Sequence, residues 1–247
     1  MTGAPTTTTI TITPPIMKSL TLITLTCLAL SGSVAADQLF NGKDLSNWQT
    51  RPEGKGKDCW VVGTATLDPA NPKNLTVAEG SEAMINVVTA HGQSWDIATK
   101  EKFAGPVRIE VELMVPQGSN SGIYVMGEYE VQVLDSYGKA DKDMGAGDIG
   151  AIYDAAVPKK NASRKPGEWQ TFVIEFEPPQ FDDDGKKSAN AKFRKVELNG
   201  EVLHENLEMK GPTPGGLTGK EAAAGPLMFQ GNHGAVALRS VKVTPLK

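Results

Sequence analysis

The chain has 247 residues, a formal net charge of −4, 22% charged and 39% hydrophobic side chains, and two cysteines. Its basic residues are scattered in pairs, Lys159-Lys160, Arg164-Lys165 and Lys186-Lys187. That excludes the basic stripe a nucleic-acid partner needs. No phosphate loop, dinucleotide fingerprint or zinc-ligand spacing occurs.

At the N-terminus, Lys18, the apolar run Leu20 to Leu30 and the small residues Ser31 to Ala36 have the layout of a secretory signal. Met17 is the expected start, with the Thr-rich stretch before it an extension. Cleavage after Ala36 satisfies the small-residue rule through Val34 and Ala36, and Ala35 is the near alternative. The run is too short to span a bilayer comfortably. Cys27 inside it leaves a lipid anchor open, but its flanking residues support a soluble product better. The expected division is therefore 1–36, extension and signal, and 37–247, a single mature domain, periplasmic or secreted and without a membrane partner. Cys59 is then the only mature cysteine, so no intrachain disulfide can form. Within DCWVV, which reads as strand, it is a small buried hydrophobe.

Beyond the leader, short runs rich in Val, Ile and aromatics recur between Gly, Pro and Asn clusters, and helical periodicity is hard to find. The class is all-β, long enough for one large domain. Strands are expected at Trp60 to Val62, Ala83 to Val87, Val107 to Val115, Gly122 to Met126, Tyr129 to Leu134, Trp169 to Phe176, Ala191 to Leu198, Leu227 to Phe229 and Val236 to Val243. In the third of these, Val107, Ile109, Val111, Leu113 and Val115 alternate with polar residues and Met114, as in a half-buried strand. In the last, Ala237, Arg239, Val241 and Val243 are expected on one face. Asn199-Gly200 is expected to turn a hairpin, and GPTPGGLTG from Gly211 is a loop by composition.

NSGIYVMGEYEVQVLDS from Asn120 carries the most chemistry. In an extended strand successive side chains point to opposite faces, so Glu130 and Gln132 share one face while Tyr129, Val131 and Val133 share the other. Met126-Gly127-Glu128 is the expected hairpin connection. A solvated polar side on a surface strand competes equally with a binding face.

LFNGKDLSNW from Leu39, NSGIYVMGEYEVQVLDSYG from Asn120, GAIYDAAVP from Gly150, KPGEWQTF from Lys165 and GPLMFQGNHGAVALRSVKV from Gly225 together resemble the 3-keto-disaccharide hydrolase domain family. The resemblance spans the mature chain in order. It implies a concanavalin A-like jelly-roll β-sandwich of two antiparallel sheets, an exported location, and a carbohydrate substrate already oxidised to a ketone at sugar carbon 3.

On that resemblance Glu130 faces a sugar cleft and is the expected general base, with Gln132 on the same face to bind hydroxyls or the enolate oxygen. Asp135 is a candidate acid or metal ligand, with a turn cap as its rival role. His233, in QGNHG, suits proton transfer or metal ligation. Gln230 is expected to face the sugar, and Tyr153 and Asp154 of AIYD to supply a stacking ring and a hydroxyl acceptor, with edge packing as the alternative. No cofactor is certain and a divalent metal stays open. Asp182-Asp183-Asp184-Gly185 lacks the remaining ligands of a calcium loop. Trp48, Trp60 and Trp169 belong to the core. A non-catalytic carbohydrate-binding module is the competing function. An ordinary glucanase is disfavoured, because Gln132 stands where a second catalytic carboxyl would be needed. Leaving group, anomer and oligomeric state do not follow from the residues.

Overall fold

The computed structural model describes residues 37–246 together with positions 1 and 3. The expected leader, residues 17–36, lies outside the described residues. β1 (Asp37–Gln38) and β2 (Trp48–Arg51) precede a 3-10 turn at Lys57–Cys59, and β3 (Trp60–Leu67), β4 (Leu75–Asn86), β5 (Asp96–Thr99), β6 (Phe103–Ala104) and β7 (Val107–Met114) follow. Next come β8 (Asn120–Val125), β9 (Tyr129–Leu134), β10 (Gln170–Glu177), β11 (Gln180–Phe181), β12 (Lys187–Ala189), β13 (Ala191–Leu198) and β14 (Glu201–Met209). β15 (Ala224–Gly225), β16 (Met228–Phe229) and β17 (Val236–Pro245) close the chain.

Two antiparallel sheets form a sandwich. The larger has the order β14-β13-β10-β7-β17-β4-β3, with β1 added beside β17; the smaller has the order β2-β5-β16-β8-β9. The alternation read in β7 puts Val107, Ile109, Val111 and Leu113 on the inner face, where they meet Ile97, Ile123, Val131 and Phe229 of the smaller sheet. Burying each such side chain contributes about 1.5–3 kcal/mol. Trp48 and Trp60 are buried in the same core.

The outer face of the larger sheet is laced with ion pairs. Arg108 pairs with Glu110 and Glu175 at 2.9 Å each, and Lys195 with Glu197 at 3.0 Å. These side chains are partly exposed, so each pair contributes at most about 1 kcal/mol. With Arg239 on Glu112, both carboxylates of β7 are engaged in ion pairs.

Two expectations are corrected here. The face assigned to the last strand fails because register shifts between Leu238 and Ser240, placing a bulge at Arg239. A bulge inserts one residue and reverses the alternation. Val241 and Val243 therefore enter the main core with Leu238, whereas Ala237 packs in a separate apolar cluster and Arg239 pairs with Glu82 at 3.3 Å and with Glu112. Cys59 ends the 3-10 turn rather than lying in a strand, and is half-buried against the core. Asp182 to Gly185 turn the β11-β12 hairpin, Asp182 Oδ1 accepting the Asp184 and Lys186 amides at 3.2 and 2.8 Å.

Candidate active site

The outer face of the smaller sheet is set by strand register. The β8-β9 hairpin pairs Tyr124 with Glu130 and Gly122 with Gln132. Met228 of β16 lies opposite both Tyr124 and Ala98. One row of the face therefore reads Ala98, Met228, Tyr124, Glu130. In the next row the Gln230 amide donates to the Gly122 carbonyl at 3.0 Å, and Asp96 lies opposite Arg51 at the β2 edge. Tyr129, Val131 and Val133 point the other way, into the core.

Glu130 is 2% exposed, so it is no solvated strand carboxylate. Its position depends on a missing side chain, because a Cβ on Gly122 would lie 2.1 Å from Glu130 Oε1. The carboxyl folds over the bare backbone of its neighbour strand. Burial pushes it up to about 7; the facing Tyr124 hydroxyl works the other way, and the charge of Asp96 adds to the rise. Burial likewise raises the Tyr124 hydroxyl, followed by the Glu130 charge, so it stays protonated. Gln230 Nε2 donates to that hydroxyl at 3.3 Å, while Gln230 Oε1 is buried without a partner.

Loops complete the site. Thr213 Oγ accepts the Glu130 amide at 2.9 Å and donates to the Glu128 carbonyl at 3.2 Å, and the Leu217 amide donates to the Gly127 carbonyl at 2.8 Å. The Gly211 to Gly219 stretch, a loop by composition, is thus pinned across the hairpin. On the other side of β9, the Tyr153 amide donates to the Glu130 carbonyl at 3.1 Å and the Gly150 amide to the Gln132 carbonyl at 2.8 Å. His204 Nε2 lies 2.9 Å from the Gly150 carbonyl and helps hold that segment.

These parts form a cavity of about 210 Å³ lined by Asn120, Tyr124, Glu130, Gln132, Tyr153 and Gln230 together with Pro214, Gly215 and His233. Five of the seven residues singled out from sequence meet there: Glu130, Gln132, Tyr153, Gln230 and His233. Gln132 Nε2 donates to Asn120 Oδ1 at 2.5 Å. His233 packs edge-on against His91, ring centroids 4.3 Å apart; burial and then His91 lower its pKa, while Asp96 raises it.

Asp135 and Asp154 do not line the cavity. Asp135 Oδ2 accepts the Gly118 amide at 2.9 Å and Oδ1 the Tyr137 amide at 3.2 Å, which is turn duty. Asp154 is exposed at a left-handed turn position, φ 57°. Among the described residues no group of three or more His, Cys, Asp or Glu side chains is placed to hold a metal ion, and no helix is long and apolar enough to cross a membrane.

Sequence reasoning missed Tyr124, Asn120 and Asp96. Tyr124 was within reach: once the hairpin turns at Met126 to Glu128, counting back from the turn sets it opposite Glu130. Asp96, whose Oδ1 accepts the Gly231 amide at 2.9 Å, carried no local signal. Its strand joins β16 from far along the chain.

The outer face of this all-β sandwich thus holds the Glu130 carboxyl, buried beneath loops beside a tyrosine and two amides. Residues 35–244 match the 3-keto-alpha-glucoside-1,2-lyase-like domain, and the chain belongs to that family. A solved structure of a candidate glycosyl hydrolase from Parabacteroides distasonis is similar at 31% identity, TM-score 0.64, over 85% of this chain and 84% of that one. A second candidate glycosyl hydrolase from the same organism shares 20% identity at TM-score 0.55, over 85% and 93% of the two chains, and shows the fold. No curated protein matches the sequence.

Proposed function

We propose that this protein cleaves glycosides whose sugar carries a ketone at carbon 3, with Glu130 as the base. The observation that carries the proposal is a carboxyl almost closed to solvent, pushed up to about 7, at a small cavity lined by hydroxyl and amide groups. A base acts best when its pKa lies near the working pH. The sandwich is read as the concanavalin A-like jelly roll, and the leader at residues 17–36 as sending the protein to the periplasm or the medium.

The ketone acidifies the hydrogen on carbon 2. Glu130 takes that proton, and the electron pair becomes the bond between carbons 1 and 2 as the bond from carbon 1 to the leaving oxygen breaks. The departing oxygen takes its proton from His233, which recovers one from the water that adds next. Water then adds its oxygen to carbon 1 and a proton returns to carbon 2, so the sum is hydrolysis. Tyr124, kept protonated, donates to the ketone oxygen as enolate charge develops there, the kind of fixed donor that stabilises an oxyanion most. Gln132 and Gln230 orient ring hydroxyls. No pair of carboxylates flanking an oxocarbenium ion is needed.

The test is to incubate purified protein with a 3-keto-glucoside and separately with the unoxidised glucoside. Release of the leaving group from the keto-sugar alone is expected. Saturable binding of either sugar with turnover of neither would instead assign a carbohydrate-binding module.

A further inference from the structure

A second and larger cavity, about 540 Å³, adjoins the Glu130 cavity through Gly215, which lines both. Its floor continues the same sheet face through Met228 and Asp96 to Arg51, and its wall is the loop that covers Glu130. Three cationic side chains line it, Arg51, Lys102 and Lys220. Among the described residues none of the three has a carboxylate within ion-pair distance: every ion pair found uses other cations. Arg51 Nε is in addition buried without a hydrogen-bond partner.

Two carboxylates share the lining, Glu128 tied by both oxygens to the covering loop and Asp96 by one oxygen to a backbone amide. Glu128 Oε1 accepts the Thr218 amide at 2.9 Å and the Thr218 hydroxyl at 2.7 Å, and Oε2 accepts the Gly219 amide at 2.9 Å. It is 5% exposed and acts as the loop's internal anchor. Asp96 turns an oxygen to the Gly231 amide at 2.9 Å. A protein with a net charge of −4 thus gathers three unpaired cations around one cavity beside its buried base.

We propose that this cavity is the subsite for the departing half of the substrate, and that it selects an anionic group there, a carboxylate, sulfate or phosphate. The inference rests on the reading of Glu130 as base and adds the chemical class of the leaving group. Arg51 presents the planar fork that matches oxyanions, and the two lysines add charge at the mouth. Gly215 lines both cavities, so a leaving group released from a sugar over Glu130 has this larger cavity beside it.

The experiment uses two 3-keto-glucosides with leaving groups of similar reactivity, 4-ethylphenol and 4-(carboxymethyl)phenol. A kcat/KM at least tenfold higher for the carboxylated substrate is expected, falling towards parity as ionic strength rises. The triple variant Arg51→Gln, Lys102→Gln, Lys220→Gln is expected to erase the difference within the pair. Equal kcat/KM for the two in wild-type protein, or a preference that survives both salt and the triple substitution, overturns the proposal. Turnover of neither means that the reading of Glu130 has failed. Calorimetric binding of the same pair then decides the subsite, tighter binding of the carboxylate supporting it and equal binding removing it.

Discussion

At the residue scale, burial sets how Glu130 behaves. Its folded pKa of about 7 stands above the ordinary carboxylate value of 4.5, so the fold favours the neutral form. Stability is therefore greatest below about pH 4.5 as far as this group is concerned, and is lost as pH rises through about 7. Glu130→Gln removes that loss. It is expected to raise the melting temperature at pH 8 relative to wild type while lowering turnover at least tenfold, about 1.4 kcal/mol of barrier; a melting temperature that drops at pH 8 while holding at pH 5 would contradict the buried-carboxyl account. The same titration predicts that kcat/KM for a keto-glucoside climbs through an acid limb near pH 7. Asp96 adds to the rise of Glu130, so Asp96→Asn is expected to move that limb to lower pH. An unmoved or upward-shifted limb in the pH profile would remove Asp96 from the site's electrostatics.

At the element scale, the β8-β9 hairpin explains both what the sequence disclosed and what it hid. Alternation in EYEVQ separates Tyr129, Val131 and Val133 from Glu130 and Gln132, and the strands follow that division. Periodicity does not show that the polar face is covered, because the cover comes from a loop some eighty residues away, held by Thr213 and Leu217. Strands β2 and β5 were missed for a related reason: each has four residues, too few for a period to register, and they exist by pairing with each other and with β16. The Arg239 bulge defeated a period-2 reading outright. Gly122 has a structural reading only once the register is known. Gly122→Ala has no backbone objection, but its methyl would occupy the space of the Glu130 carboxyl. It is expected to cost about 1–3 kcal/mol in denaturant unfolding, as overpacking does, and to cut turnover by more than that loss of folded protein explains. Full activity in Gly122→Ala would mean that the carboxyl is not held where the reaction needs it.

At the scale of the whole molecule, the two outer faces have different work. The larger sheet turns outward a lattice of partly exposed ion pairs, and the smaller sheet turns outward a buried carboxyl, a tyrosine, two amides and, further along, unpaired cations. One shared core fixes the separation of the faces, and the loops on the smaller sheet convert a flat polar surface into adjoining cavities. The chain belongs to the 3-keto-alpha-glucoside-1,2-lyase-like domain family. The central claim is that Glu130 removes the proton from carbon 2 of a keto-sugar, and turnover of a 3-keto-glucoside in deuterium oxide, followed by proton NMR, tests it most directly. The account predicts that wild-type protein releases a sugar product bearing deuterium at carbon 2, formed at the rate of bond cleavage, and that Glu130→Gln loses cleavage and labelling together. Rapid cleavage that leaves the original hydrogen on carbon 2 would contradict it.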